Sequence, residues 1–241
     1  MSHSDVRVHT TAEESADACA SFVLNFLRET LESKPNATFA ISGGNTPKLL
    51  FRRLAGANFD WSNLDVFWVD ERCVPPDDDQ SNFKLANENW LGPAAVPGPN
   101  VHRVLGELPP QEAADRYVQE IQRLFGLGPN QLPEFDLLHR GMGPDAHTAS
   151  LFPGDPLIRD RTGIATHVWV EKMKSHRVTL LPGVLLRARS TILQVAGGDK
   201  AEAAMNVLKG PEDPMRYPCQ IATRGSNRAI WFLDNAAAAK L

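Results

Sequence analysis

The sequence predicts an α/β fold in which a mostly parallel β-sheet is sandwiched by helices. Short apolar runs of strand length alternate along the chain with segments of helical periodicity, which is typical of parallel α/β proteins. Polar segments follow several of these runs, and ligands of such sheets bind beyond the carboxyl ends of the strands. A chain of 241 residues can bury a sizeable core. No linker is evident, so we expect one domain over residues 1–241. A small insertion around residues 92–130 is compatible with this prediction.

The hydrophobic pattern predicts the elements in order. Residues 12–33 place apolar side chains on one face and predict an amphipathic helix. Thr46 and Pro47 suit the N-cap and the first residue of a second helix, which ends near residue 55. The other predicted helices cover residues 81–91, 109–126 and part of 197–210, and the predicted strands cover residues 37–41, 64–69, 134–138, 166–172, 178–181, 190–196 and 229–234. Four polar segments should meet at one edge of the sheet, those after Ile41, Val69, Leu138 and Ala196.

Composition and charge disfavour several classes of partner. The formal net charge is -4 and no basic cluster stands out, so neither a nucleic-acid surface nor an anchor for an anionic membrane is expected. The N-terminus is polar, and no apolar run approaches the ~20 residues that a membrane helix needs. Cys19, Cys73 and Cys219 are scattered and odd in number, which disfavours a disulfide framework or structural zinc and predicts a cytoplasmic location.

The motif ISGGNTP, residues 41–47, lies between a predicted strand and a predicted helix. Gly43 and Gly44 allow the backbone to approach a ligand closely, and the amides at a helix N-terminus attract an anion. The Walker A pattern is absent. An ordinary capped turn explains the same residues equally well, so the motif alone leaves both interpretations open.

A charged group follows the predicted strand over residues 64–69. Asp70, Glu71 and Arg72 come directly after its apolar residues, where the guanidinium would be placed to pair with a carboxylate or stabilise an oxyanion. A surface salt-bridge cluster is the alternative. The three aspartates at residues 77–79 predict a solvated turn, since the spacing and the glycine of an EF-hand calcium loop are missing.

The segment GMGPDAHTASLFPG, residues 141–154, admits several interpretations. It matches the GxGxxA pattern of dinucleotide sites, but Pro153 comes too early for the helix of such a unit, and the segment lies mid-chain. A metal site would use Asp145 and His147, with His139 as a further ligand, but nothing completes the set, so no metal is expected. Ser150 is a poor nucleophile candidate because G-x-S-x-G is absent.

An acid–base pair needs only Asp145 and His147. Histidine exchanges protons near neutral pH, and a carboxylate two residues earlier can orient its ring. A loop histidine beside a surface aspartate, without a catalytic role, is the alternative. Arg177 and Lys200, with residues 42–46, would make a pocket for a phosphate group, although each cation alone is more often a solvated charge.

Four motifs together resemble those of the 6-phosphogluconolactonase family: ISGGNTP, VDERCVP with a downstream SN, GMGPDAHTASLFPG, and RVTLLPGVLLRAR followed by GGDKA. They occur in the same order as in the family and span nearly the whole chain. The resemblance implies the fold shared by glucosamine-6-phosphate deaminase and ribose-5-phosphate isomerase. It also implies hydrolysis of 6-phospho-D-glucono-1,5-lactone to 6-phospho-D-gluconate in the oxidative branch of the pentose phosphate pathway, without a metal or organic cofactor.

The resemblance also implies roles for individual residues. His147 matches the general base, and Asp145 matches the acid that orients it. Arg72 matches an arginine expected to contact the substrate and steady the charged intermediate. The residues expected to bind the substrate and its phosphate are Ser42, Gly43, Gly44, Asn45, Thr46, Asp70, Arg177 and Lys200.

The chain departs from the family pattern at two places. Ala146 replaces the glycine between the acid and the base, so the loop must avoid positive φ or accept strain. His139 and Arg140 end a strand that is usually apolar, and we expect this polar pair either to reach the cleft or to face outward at the strand end.

Three other functions stay open at this point. The first is a glucosamine-6-phosphate deaminase or sugar-phosphate isomerase on the same fold, the second a non-catalytic sugar-phosphate-binding module, and the third a nicotinamide-dependent dehydrogenase. For the lactone hydrolase, the expected partner is the phosphorylated lactone, with no nucleic acid and no membrane. We expect a monomer or a small homo-oligomer.

Overall fold

A computed structural model describes residues 5–222 and 229–241. The described residues form ten strands, β1 Asp5–His9, β2 Ala37–Ile41, β3 Leu64–Trp68, β4 Asp70–Arg72, β5 Val101–His102, β6 Leu137–Arg140, β7 Ala165–Val170, β8 Ser175–Leu180, β9 Ser190–Val195 and β10 Ala229–Asp234. They also form six α-helices, α1 Ala12–Ser33, α2 Asn45–Ala55, α3 Asn82–Ala86, α4 Pro110–Phe125, α5 Pro182–Leu185 and α6 Ala201–Leu208. In this part of the chain no helix is both long and apolar enough to cross a membrane.

The main sheet has seven parallel strands in the order β1-β10-β9-β6-β2-β3-β5. Successive side chains of a strand point to opposite faces of the sheet. Helices cover both faces, since apolar side chains lie on each. In β9, Ile192 joins the apolar cluster that includes α1 and α2 residues such as Leu27 and Leu50. Leu193, one residue later, joins the cluster on the side of α6. The predicted α/β class with a mostly parallel, helix-covered sheet is therefore confirmed.

Helix α2 begins two residues earlier than the sequence predicts. Its N-cap is Gly44, with φ of 113°, and its first residue is Asn45, so the assignment of Thr46 as N-cap and Pro47 as first residue is wrong. The positive φ of glycine lets the chain turn from the strand end directly into the helix. Pro47 is tolerated as the third residue because the first N–H groups of a helix have no intrahelical acceptor.

A second, three-stranded antiparallel sheet holds β4, β8 and β7 in the order β4-β8-β7. The predicted strand over residues 64–69 ends at Trp68, and the chain changes sheets at Val69. The pairing of β4 with β8 places Arg72 directly opposite Arg177, although the two residues lie far apart in sequence. This second sheet therefore brings two predicted site residues together.

Other boundaries also differ from the prediction. The strand predicted over residues 134–138 is displaced to Leu137–Arg140, and the helix predicted over residues 81–91 is α3 followed by a π-helical turn, Asn87–Leu91. Strands β1 and β5 are absent from the prediction. β5 has two residues, too few for a hydrophobic pattern, and β1 lies at the sheet edge with mostly exposed residues.

A charged cluster at the β5 edge predicts acid sensitivity. His102 lies between Asp65 and Glu120, with Nε2–Oδ1 and Nδ1–Oε1 distances of 3.0 and 2.7 Å. The hydrogen bond from Arg123 lowers the pKa of Glu120 from 4.5 to about 2, with a smaller effect of His102 in the same direction. A carboxyl with a depressed folded-state pKa stabilises fully above its unfolded pKa, and this contribution is lost as the pH falls through the folded pKa.

We therefore expect the Glu120 contribution to be lost between about pH 4.5 and about pH 2. Over that interval, the free energy of unfolding should fall more steeply for the wild type than for Glu120→Gln. At pH 7 the variant should lose at most about 1 kcal/mol, since Arg123 is largely exposed and solvent screens the pair. Urea unfolding at a series of pH values measures this difference, and parallel curves for the two proteins would contradict it.

Candidate active site

A cleft of about 390 Å³ opens at the carboxyl ends of β2, β6 and β9 and beside β4. The four polar segments predicted to converge all contribute residues to its lining. Every predicted site residue except Asp145 lines the cleft: Ser42, Gly43, Gly44, Asn45, Thr46, Asp70, Arg72, His147, Arg177 and Lys200.

One end of the cleft is suited to an anion. The turn from β2 into α2 presents Gly43 to Thr46 at a helix N-terminus, where the dipole and unpaired amides favour negative charge. The Ser42 hydroxyl is buried and has no hydrogen-bond partner within residues 5–222 and 229–241. Lys200 lines the same cleft, and its Nζ lies 2.5 Å from Asp199 Oδ2. These groups offer a hydroxyl, backbone amides and an ammonium to a bound phosphate.

Gly43 is needed here because of close packing. A Cβ atom on this residue would lie 1.9 Å from Oδ1 of Asn82. The side chain of Asn82 in turn donates from Nδ2 to the Asp70 carbonyl at 2.8 Å. Asn82 lines the cleft and connects the anion-binding turn to β4, although the sequence analysis does not assign it a site role.

The two arginines on β4 and β8 form a second cationic wall. Arg72 Nη1 donates to the Gln80 carbonyl, and its Nε is buried without a hydrogen-bond partner in the described part of the chain. Arg177 is 7% exposed, and its Nη1 lies 3.8 Å from Asp70 Oδ2. Burial lowers the pKa of the Arg177 guanidinium; Asp70 opposes this effect and the charge of Arg72 adds to it. A substrate anion beside both guanidinium groups would relieve their mutual repulsion.

Asp70 and Glu71 are buried, so the alternative of a surface salt-bridge cluster is wrong for these two carboxylates. Asp70 Oδ2 accepts a hydrogen bond from Ser150 Oγ at 2.7 Å. Glu71 accepts from the backbone N–H groups of Asn82 and Arg72 at 2.8 and 2.7 Å. Burial raises the pKa of Glu71, and these backbone hydrogen bonds oppose the rise. Glu71 therefore holds the loop that carries Asn82 against β4.

His147 and Asp145 form a close pair at the cleft. His147 Nδ1 lies 2.5 Å from Asp145 Oδ1, and the same oxygen accepts from the His147 backbone N–H at 3.2 Å. The hydrogen bond from His147 is the main reason why the pKa of Asp145 lies well below its usual range. An ionised Asp145 holds the imidazole proton on Nδ1, which leaves the lone pair on Nε2 for a water molecule.

Two further side chains hold this pair in place. Lys172 Nζ, from the turn between β7 and β8, lies 3.3 Å from Asp145 Oδ2. The Phe152 ring stacks on the His147 ring, with centroids 4.3 Å apart and an interplanar angle of 23°. His147 therefore has its ring plane fixed by packing and its tautomer fixed by a carboxylate. This arrangement disfavours the alternative of a loop histidine without a role.

Gly143 leaves space for the His147 ring. A Cβ atom at this position would lie 2.0 Å from His147 Nδ1 and 2.8 Å from Asp145 Oδ1. We expect Gly143→Ala to displace the imidazole and to lower kcat of the reaction proposed below about 100-fold, the order of loss that a small misplacement at a reacting centre can cause. Steady-state kinetics and a melting curve test this, with Gly98→Ala as control because a Cβ there meets nothing within 4 Å. An unchanged kcat in folded Gly143→Ala would contradict the expectation.

Ala146 accepts the strained conformation instead of avoiding it. Its φ is 63°, which costs a non-glycine residue about 1–2 kcal/mol. The backbone N–H donates to the Gly143 carbonyl at 3.0 Å, and the Ala146 carbonyl accepts from Cys219 N–H at 2.9 Å. The methyl group is buried in the cluster with Met142. These contacts hold the turn that places Asp145 and His147 on the same side.

The expectation for His139 and Arg140 needs correction. Both side chains are fully buried, so neither faces outward at the strand end, and neither lines the cleft. They belong to β6, which lies between β2 and β9 inside the sheet, and their side chains point to the two faces of the sheet, which helices cover. His139 Nε2 lies 3.3 Å from Gln194 Oε1, and Gln194 itself lines the cleft. Gln194 is not among the site residues predicted from the sequence.

The other interpretations of residues 141–154 find no support in the geometry. The segment forms turns and an isolated bridge between Thr148 and Leu151, without the helix that a dinucleotide unit requires. Ser150 is fully buried, and its hydroxyl donates to Asp70 Oδ2 at 2.7 Å and not to an imidazole nitrogen. Within residues 5–222 and 229–241, no group of three or more His, Cys, Asp or Glu side chains is arranged to hold a metal ion.

The chain also matches a family of known proteins. A family model described as glucosamine-6-phosphate isomerases/6-phosphogluconolactonase matches residues 10–231. The chain belongs to this family. A protein from Nostoc sp. named 6-phosphogluconolactonase is 35% identical to it over 221 residues, which cover 91% of this chain and 90% of that protein.

Solved structures show how widely the family fold is shared. The structure of 6-phosphogluconolactonase from Thermotoga maritima is 29% identical, with a TM-score of 0.84, and the match covers 96% of this chain and 100% of that chain. A monomeric glucosamine-6-phosphate deaminase is 20% identical, with a TM-score of 0.83 and coverage of 98% and 100%. The second likeness concerns the fold alone, so the choice between the two family activities depends on the site.

Proposed function

We propose that the chain hydrolyses 6-phospho-D-glucono-1,5-lactone to 6-phospho-D-gluconate. The observation that carries the proposal is the position of the Asp145–His147 pair in one cleft with an anion-binding helix N-terminus and three cations, Arg72, Arg177 and Lys200. Relatives more than 30% identical over most of the chain are named 6-phosphogluconolactonase. The site thus combines a general base with a binding site for a phosphate group.

His147 acts as the general base. Its Nε2 takes a proton from a water molecule as that water attacks the lactone carbonyl, while Asp145 keeps the other ring proton on Nδ1 and stabilises the imidazolium that forms. The imidazolium then returns the proton to the ring oxygen as the C1–O bond breaks. The product leaves as an open-chain acid, and its new C1 carboxyl group, which keeps the second proton of the attacking water, loses that proton to solvent and becomes a carboxylate.

Arg72 stabilises the negative charge that develops during the attack. It lines the cleft, where a guanidinium can donate hydrogen bonds to an oxyanion. The phosphate end of the cleft binds a part of the substrate that does not react. This remote binding holds C1 against His147, which converts phosphate affinity into correct orientation at the reacting carbon.

The second candidate is a glucosamine-6-phosphate deaminase or a sugar-phosphate isomerase, because the family description includes the isomerases and the fold is shared with a deaminase. A non-catalytic sugar-phosphate-binding module would not need the close Asp145–His147 pair. A nicotinamide-dependent dehydrogenase would need a dinucleotide unit, which residues 141–154 do not form.

A substrate comparison tests the proposal. The purified protein is assayed in a pH-stat with freshly prepared 6-phosphogluconolactone, with spontaneous hydrolysis subtracted, and in parallel for ammonia release from glucosamine 6-phosphate. We expect acid release that scales with protein concentration and no ammonia. Ammonia release without lactone hydrolysis would replace the proposal with the deaminase, and no turnover of either substrate would favour a binding module.

We further propose that residues 1–241 act as one domain, as a monomer or small homo-oligomer in the cytoplasm. The free thiols support a reducing location: Cys19 and Cys219 are buried and Cys73 is half-buried. The continuous sheet, in which the first and last strands of the chain pair with each other, supports a single domain. Size-exclusion chromatography with light scattering measures the oligomeric state.

A further inference from the structure

Gln194 and His139 form a polar pair inside the main sheet. β6 and β9 are neighbours, and His139 lies opposite Ile192, two residues before Gln194 on the same face of β9. His139 Nε2 lies 3.3 Å from Gln194 Oε1, and both side chains are almost completely buried. Each residue therefore has a polar neighbour on the next strand.

The surroundings of this pair are apolar. Gln194 lies opposite Phe232 on β10, and Ile192 and Phe232 both belong to the large hydrophobic cluster. A buried amide in such a place costs free energy unless its donors and acceptors are bonded, and apolar side chains would pack there without that cost. Packing alone gives no reason for a glutamine at this position.

Of the two polar atoms of the Gln194 amide, only Oε1 has a hydrogen-bond partner among the described residues. Burial lowers the pKa of His139 to about 4, so its ring is neutral at physiological pH and carries one proton. With that proton on Nε2, His139 donates to Gln194 Oε1, and the unpartnered Nδ1 keeps only a lone pair. The opposite amide orientation would leave an N–H of the ring without an acceptor. In the favoured arrangement, Gln194 Nε2 has no hydrogen-bond partner among the residues that the structure describes.

Gln194 is one of the residues that line the cleft, although its side chain is almost completely buried. Gln194 lines the cleft together with Val195, Ala196 and Lys200, which follow it along the same chain segment. Helix α2, whose N-terminus forms the anion-binding turn, packs against β9. Gln194 therefore lines the same cleft as the N-terminus of α2 and the Lys200 ammonium.

We propose that Gln194 Nε2 donates a hydrogen bond to a phosphoryl oxygen of the substrate, and that His139 is the positioning residue that aims the amide. This inference rests on the proposed function and deepens it, since it assigns a neutral donor to the phosphate subsite. The amide adds a directional donor to a site that also offers the Ser42 hydroxyl, backbone amides and the Lys200 ammonium. It favours a phosphorylated lactone over the same lactone without phosphate.

Gln194→Met tests the contact, because methionine has a similar length and shape but no donor. We expect KM for 6-phosphogluconolactone to rise about tenfold, and kcat to change less than twofold. The Kd of inorganic phosphate, measured by calorimetry, should rise by a similar factor. Thr191→Val is the matched control, since Thr191 is buried on the same strand, has an unpartnered hydroxyl and does not line the cleft. The control should leave all three values unchanged.

Gln194→Glu keeps the side-chain shape and places a carboxylate against the phosphate, so its phosphate Kd should rise more than that of Gln194→Met. It also keeps the proposal testable if the methionine variant does not fold. For His139 the readout is non-additivity: His139→Leu should weaken phosphate binding in the wild-type background but add nothing to Gln194→Met. Purely structural effects of His139 would add in both backgrounds.

An unchanged phosphate Kd in folded Gln194→Met and Gln194→Glu would overturn the proposal, as would a rise in KM for the lactone without a rise in phosphate Kd. Phosphate binding does not depend on lactone turnover. A wild-type protein without lactonase activity, whose phosphate Kd still rises on substitution of Gln194, would therefore refute the proposed function and leave the phosphate contact supported.

Discussion

Replacing His147 by alanine should lower kcat for 6-phosphogluconolactone about 10²–10⁴-fold, the usual contribution of general acid–base catalysis. The imidazole is the group whose tautomer is fixed by Asp145, at 2.5 Å, and whose ring is packed against Phe152. Its removal leaves the cationic walls and the anion-binding turn intact. We therefore expect folding and the Kd of inorganic phosphate to persist while turnover approaches the spontaneous rate.

His9→Ala is a suitable control for the loss of an imidazole. His9 lies at the end of β1 at the sheet edge, with its ring 6.3 Å from that of Phe232, and it does not line the cleft. This variant should keep the wild-type kcat. A folded His147→Ala protein with near-normal turnover would show that another group activates the water.

Replacing Arg177 by alanine should mainly raise KM, by about 10–100-fold, the loss expected for a hydrogen bond to a charged group. Its buried guanidinium lies directly opposite Arg72 and 3.8 Å from Asp70. Asp70 keeps its hydrogen bond from Ser150 in the variant, so the wall should remain folded. Initial rates over a range of lactone concentrations separate KM from kcat.

Arg189→Ala controls for the loss of a guanidinium elsewhere. Arg189 pairs with Asp136 at 2.8 Å and does not line the cleft, so its variant should keep the wild-type KM. Arg177→Lys should recover only part of the affinity, since an ammonium lacks the planar fork of a guanidinium. If KM stays unchanged in folded Arg177→Ala, the guanidinium does not contact the substrate.

Elements with strong local signals could be predicted from the sequence. Helix α1 has the predicted bounds because its apolar face spans six turns and Thr11 caps it, accepting from Glu14 N–H at 3.1 Å. Strand β10 also has the predicted bounds. The start of α2 was missed because the positive φ of Gly44 competes with the capping preference of Thr46. The second sheet depends on a long-range pairing, Asp70–Arg72 with Thr179–Arg177, which no local pattern encodes.

In the site, too, some features could be predicted from local sequence signals and others depend on long-range contacts. The motifs predict which residues bear the chemistry, and the parallel-strand rule predicts that they meet, as they do at the cleft. Neither indicates that Asn82 links β4 to the anion-binding turn, or that Lys172 reaches Asp145 from 27 residues away. Gln194 was missed because a single glutamine in an apolar strand carries no motif. Its significance depends on His139, which only the strand order brings beside it.

The most direct test of this account is the initial rate of acid release from freshly prepared 6-phosphogluconolactone, measured in a pH-stat for the wild type and for His147→Ala. Spontaneous hydrolysis is subtracted, and both proteins are used at several equal concentrations. We expect a wild-type rate proportional to protein concentration and a variant rate at least about 100-fold lower. A wild-type rate no faster than spontaneous hydrolysis, or equal rates for the two proteins, would contradict it.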